Sequence, residues 1–163
     1  MMHRAIPALL ALLLGTPALA EPTPTVAVPT FGYIDTSGEM RNQASEHAAQ
    51  TERLATSLQQ GLTASGRYRG IAIDCGGKPC SAGQGDDVAD LAAKARDAGA
   101  SVLLFGVVEK QSTLISWMRV RAIDTATGRV LFDKFLSFRG DDDAAWQHLE
   151  KFVLRQFLDT RIE

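Results

Sequence analysis

The chain predicts an α/β (α+β) domain built on a mixed five-stranded sheet in the order β-α-β-α-β-β-β-α. Three observations carry this. Ala100 to Gly140 holds three strand-length runs, ASVLLFGVVEKQ, LISWMRVRAIDT and RVLFDKFLSFRG, each rich in Val, Ile, Leu, Phe and Trp and separated by the short breaks Ser112-Thr113 and Ala126-Thr127-Gly128. Such runs bounded by turn residues read as a three-stranded antiparallel meander. Upstream, an extended segment, a long amphipathic segment and a second extended segment follow one another, the pattern of parallel strands joined by a helical crossover. Downstream, Trp146, Leu149, Val153 and Phe157 recur at helical spacing, so a last helix closes on the sheet.

In chain order, His3 and Arg4 precede the apolar run Ile6 to Leu14 and the small-residue stretch Thr16-Pro17-Ala18-Leu19-Ala20. That is the form of a secretory signal peptide over 1–20. The apolar run is about half the roughly 20 residues a membrane-spanning helix needs. Residues 21–24 read as a mobile Pro-Thr leader, and 25–163 as a single domain. Removing 20 of 163 residues leaves about 143, enough for one domain with a proper core.

Thr25-Val26-Ala27-Val28 is the first strand, and Pro29, which cannot donate to a ladder, forces it to end, bulge or lie at an edge. Between Tyr33 and Arg41 the turn-formers Asp35, Thr36, Ser37, Gly38 and Glu39 read as a loop. A helix follows over 44–64, with Leu54, Leu58 and Leu62 on one face and Gly66 as its stop. The second strand lies within Arg67 to Asp74, and Ser81 to Gly85 reads as flexible. Asp86 or Asp87 caps a short helix whose apolar face is Val88, Leu91, Ala92 and Ala95, ended by Gly99.

The formal charge of -2 becomes -3 without Arg4. No clustered basic surface is evident, which excludes nucleic acid as the expected partner and gives no attraction to an anionic membrane. No later run is long and apolar enough for a membrane span, and no cofactor motif stands out. Gly76-Gly77-Lys78 lacks the spacing of a phosphate loop, and no serine sits in a nucleophile elbow. The expectation is therefore a protein that is not an enzyme.

Cys75 and Cys80 are the two cysteines, and in an exported chain a disulfide closing this short loop is the first reading, with redox or metal roles as alternatives. Asp141, Asp142 and Asp143 resemble an oxygen cluster for a hard cation, but the same acids suit the start of a helix, where they accept orphan amides. His47 and His148 fall on helices and read as surface or half-buried residues, since a zinc site wants further ligands. Glu109 and Asp124 end strands where carboxylates can act as acid and base; solvation of strand ends explains them equally.

The middle strand of the meander is the most informative. Alternation puts Leu114, Ser116, Met118, Val120 and Ala122 on one face and Ile115, Trp117, Arg119, Arg121 and Ile123 on the other. With helices over the first face, Ile115, Trp117, Arg119 and Arg121 form the candidate interface, because Trp and Arg are favoured interface anchors. A sheet face whose Arg stems cover apolar neighbours and pair with Asp133 accounts for the same residues.

The segments V-A-V-P-T-F at 26–31, L-x-x-x-L-x-x-x-L-x-x-S-G-R-Y at 54–68, G-A-S-V-L-L-F-G-V-V at 99–108 and D-T-A-T-G-R-V at 124–130 resemble the TolB amino-terminal domain and related cell-envelope accessory domains. The stretch from the cysteine pair to Trp146 is similar to an uncharacterised family of small exported bacterial proteins, a domain of unknown function. Members of that family have more closely spaced cysteines, and some sit beside periplasmic quinoprotein dehydrogenase systems. The resemblance implies a periplasmic accessory protein that binds a periplasmic or envelope protein. Its alternative is an exported ligand-, metal- or redox-binding protein serving such a dehydrogenase system. The oligomeric state is not legible in the sequence.

Overall fold

The middle strand of the sheet is paired along both edges, and the rest of the molecule is arranged around it. The computed structural model describes residues 22–78, 80–82 and 87–160; the expected signal peptide over 1–20 lies outside them. Its elements are β1 (Thr25–Ala27), β2 (Thr30–Asp35), α1 (Ala44–Ala64), β3 (Arg69–Ile71), β4 (Ser81–Ala82), α2 (Val88–Asp97), β5 (Val102–Lys110), β6 (Ile115–Asp124), β7 (Val130–Arg139) and α3 (Asp143–Asp159).

The central strand is β5. Along one edge it pairs antiparallel with β6, from Val102↔Asp124 to Lys110↔Ser116, and β6 in turn pairs antiparallel with β7. Along the other edge it pairs parallel with β1 at Ala27↔Leu103 and with β2 at Gly32↔Val107. Five residues on one strand thus span what four span on the other, so β1 and β2 are one strand bulged at Pro29, the position without an N–H. Beyond them, β3 pairs with β1 and β4 pairs with β2, both parallel. The seven strand segments therefore fill five ladder positions, the expected number, two of them split.

Three local expectations change. The chain continues as strand β2 through Asp35, the first of the expected loop residues, because β5 extends far enough to pair it through Lys110. Ser81 and Ala82 form β4 instead of a flexible run, with residues 83–86 outside the described part. The second strand shortens to Arg69–Ile71, and the carbonyl of Pro24, in the expected leader, accepts the Arg69 N–H at 2.9 Å. Close backbone approach at β4 also explains Gly32: a Cβ there would lie 2.5 Å from the Ala82 carbonyl oxygen.

Helices cover the two faces unequally. On one face α1 and α3 bury Leu54, Leu58, Leu62, Trp146, Leu149, Val153 and Phe157 against Val26, Val102, Leu104, Met118, Val120 and Phe132. On the other, α2 sets Leu91, Ala92 and Ala95 on Ala27, Leu103, Phe105 and Ile123. Asp87 caps α2 by accepting the Ala89 N–H at 3.0 Å, and Gly99 leaves it at φ 82°. Because α2 has only 10 residues, it stops short of the β6–β7 half of its face. Among the described residues no helix covers that half.

Candidate protein-binding face and the polar brace beside it

The open half-face is built by the period-2 alternation of β6. Ser116, Met118, Val120 and Ala122 are buried under the helices, whereas Ile115, Trp117 and Arg119 are exposed and Arg121 is half-buried. Ile123, placed with them by alternation, is buried under α2 instead, and Leu114 lies just before the strand and is exposed. On the neighbouring strand Phe135 is 64% exposed and packs edge-on against Trp117, ring centroids 5.7 Å apart, with Trp117 itself 39% exposed. The sequence argument missed Phe135; the same alternation, applied to β7, identifies it.

The arginines of this face are held by one carboxylate. Arg119 Nε and Nη2 donate to the two Asp133 oxygens at 3.1 and 2.7 Å, and Arg121 Nε lies 3.3 Å from Asp133 Oδ2. The hydrogen bond from Arg119 holds the Asp133 carboxyl below its ordinary range. Two guanidiniums thus share the Asp133 carboxylate, while Glu109, directly across from Trp117 on β5, puts a second acid on the same face. The arrangement offers a flat aromatic anchor with oriented donors at its rim, the chemistry of a protein-docking surface.

Behind the C-terminal end of β5, on the opposite face, lies a polar cluster that was not foreseen. Lys110 is 1% exposed, and its Nζ donates to Asp141 Oδ2 at 2.7 Å, Gln43 Oε1 at 2.8 Å and Glu39 Oε2 at 2.9 Å. Asp141 also meets His47 Nε2 at 2.9 Å and accepts from Trp146 Nε1 at 3.3 Å. Burial opposes ionisation of both Lys110 and Asp141, yet their mutual hydrogen bond and those to their neighbours prevail. The lysine is therefore raised above its usual pKa and the aspartate lowered below its own. With all three ammonium protons committed, Lys110 is a brace tying the 36–43 loop, α1 and α3 to β5.

His47 is accordingly buried, at 2% exposure, rather than at the surface, and stacks on Tyr33 with centroids 4.2 Å apart. Burial first, then the nearby Asp141 charge, pushes the Tyr33 hydroxyl above its normal range. His148 is exposed. The three consecutive aspartates do not converge: Asp141 joins Lys110, Asp142 caps α3 through the Ala145 N–H at 2.8 Å, and Asp143 reaches Arg53 at 3.1 Å. The strand-end carboxylates are also engaged, Glu109 by Thr36 and Gln111, Asp124 by the amides of Ala126 and Thr127.

Cys75 and Cys80 form a disulfide, Cα atoms 5.4 Å apart, in the loop joining β3 to β4. Their Sγ atoms clip together the two segments of the split edge position. Beside this loop a cleft of about 870 Å³ opens between β2 and the start of α1, walled by Phe31, Tyr33, Glu39, His47 and Lys78.

The fold and site define an α/β single-sheet domain with one half-face open. The chain belongs to the family described as "Protein of unknown function (DUF2380)", matched over residues 24–158. No curated protein is similar to it in sequence. Among solved structures, hypothetical protein CT253 from Chlamydia trachomatis shares the fold at 14% identity and a TM-score of 0.54, over 84% of this chain and 97% of that one. The PelC dodecamer from Paraburkholderia phytofirmans does so at 14% identity and 0.51, over 87% and 89%. TolB from Acinetobacter baumannii aligns at 14% identity and a TM-score of 0.48, over 85% of this chain and 28% of that one.

Proposed function

We propose that this protein is a non-enzymatic accessory domain of the periplasm that docks an envelope or periplasmic protein on the open face of its sheet. The observation that carries the reading is the exposed Trp117–Phe135 pair flanked by Arg119 and Arg121. An aromatic pair of this size left in water on a regular sheet face is a surface held in readiness for a protein. The partner expected is one with an apolar patch bordered by carboxylates, matching the two guanidiniums. Export through the segment 1–20 puts the domain where such partners are.

The test is affinity purification of the tagged mature protein from periplasm, with mass spectrometry of bound proteins and metals. One dominant envelope protein that disappears with Trp117→Ala and Arg121→Ala supports the reading. Retention of every copurifying protein by both variants refutes it.

The cleft beside His47 favours a second reading, an exported ligand-binding protein serving a dehydrogenase system. Its lining combines the half-buried Tyr33 with the charged Glu39 and Lys78, over the buried Phe31 and His47. A clean monomer carrying a stoichiometric small molecule or metal would favour it over the first.

A further inference from the structure

We infer that β7 pairs with the β7 of a second copy, edge to edge and antiparallel, joining two five-position sheets into one continuous sheet with Phe135 opposite Phe135 at its centre. The inference concerns assembly of the chain itself and stands or falls apart from the partner reading above.

The edge is suited to this. Among the described residues β7 pairs only with β6. From Ile115↔Arg139 to Ala122↔Phe132 its register is unbroken; the only irregularity lies beyond, between Ala122 and Ile123. A run this long presents outward N–H and C=O groups with no bulge to twist them away and no proline to interrupt them. Exposed edges are usually protected by charge, but Asp133 is neutralised by Arg119 and Arg121 on its own sheet. Lys134 and, at the end of the strand, Arg139 are the remaining guards.

Charge and side-chain facing select the register. A two-fold axis normal to the sheet keeps the two open faces on the same side, so residues brought opposite each other must share a face. Centring on Asp133 or Lys134 would set like charges directly opposite, which is destabilising. Centring on Leu136 would put Phe135 opposite Ser137. Centring on Phe135 brings the two exposed phenylalanines together, each already against its own Trp117, and makes one aromatic row across the seam. In that register Asp133 faces Ser137 of the other copy and lies diagonal to its Arg139, within reach of a long side chain. Lys134 falls opposite Leu136, which its aliphatic stem can cover.

The consequence is a doubled, two-fold related open face, able to hold two copies of a partner or one symmetric partner. The experiment uses the mature protein with Cys75 and Cys80 left paired, in sedimentation over a concentration series, together with the single-cysteine additions Phe135→Cys and Leu114→Cys. The expected result is a concentration-dependent doubling of mass. Phe135→Cys should oxidise to a covalent dimer while Leu114→Cys, 68% exposed but away from the seam, stays largely monomeric. Phe135→Lys should shift the wild-type dimer to monomer while still unfolding in one cooperative transition. A larger assembly whose Phe135→Cys subunits emerge as covalent pairs also supports the inference. A wild-type monomer throughout, or equal cross-linking of the two cysteine variants, overturns it, the edge then being left to another protein or to a segment outside the described residues.

Discussion

Lys110 Nζ lies 2.7 Å from Asp141 Oδ2, an ion pair across 31 positions of chain that fastens the end of the central strand to the start of the last helix. The lysine is buried, and Glu39 and Gln43 take its other protons. Removing one member of such a pair leaves the other charged and desolvated. Lys110→Met should therefore lower unfolding stability by about 3–5 kcal/mol, the range for breaking a buried pair. Chemical denaturation checks this. A loss within the range of an ordinary surface change would mean that water reaches the cluster.

The same pair sets a pH dependence. The folded pKa of Asp141 lies below its ordinary 3.8, so its contribution is fully present above that value and is lost as pH falls through the lower, folded pKa. The folded pKa of Lys110 lies above 10.5, so its contribution is present below 10.5 and is lost only at more alkaline pH. Stability should be flat with respect to this pair between those limits. Asp35, Asp124 and Asp133, also depressed, add to the acid limb. Melting temperature against pH for Asp141→Asn should show a shallower acid limb than wild type. An identical limb would assign the acid loss to the exposed aspartates.

The two tryptophans separate surface from core. Trp117 sits on the open face, and its loss forfeits chiefly the edge-on contact with Phe135, so Trp117→Ala should cost about 1 kcal/mol. Trp146 is buried under α1, donates to Asp141 and packs on Phe138 at 5.8 Å, so Trp146→Ala should cost about 3–5 kcal/mol. Equal costs would show Trp117 to be a packing residue, and the case for its role as a docking anchor would fail.

The open face was legible because it depends on period-2 alternation within one strand, which any reader of Ile115 to Ile123 can count. Its neglected member, Phe135, obeys the same rule one strand on. The brace was not legible: Glu39 and Gln43, Lys110, and Asp141 come from three segments far apart in the chain, and a lysine at a strand end normally reads as solvated. His47 went with it, since only the fold brings Tyr33 and Asp141 against that ring. The short strand β4 has two residues in a glycine-rich stretch and carries no periodic signal at all. The sheet's five positions, by contrast, followed from run length and turn residues, and only the division of two of them needed the ladder partners.

The cysteine pair gives the last prediction. The Cys75–Cys80 loop is short, and Asp74 already organises it by accepting the Gly76 and Gly77 N–H groups at 2.8 and 3.2 Å. Closing so small a loop restricts the unfolded chain modestly, by about 2 kcal/mol in the chain-entropy model. Its effect in the folded state should be local, because β4 adds only two paired positions to the edge. The double variant Cys75→Ala, Cys80→Ala should therefore unfold cooperatively with stability lower by about 2 kcal/mol. Hydrogen exchange should quicken at Ser81 and Ala82 while the β5–β6 amides keep their protection, apart from that global decrease. Loss of the cooperative transition would instead make the disulfide a framework element, and the edge position formed by β3 and β4 would then be what the rest of the sheet depends on.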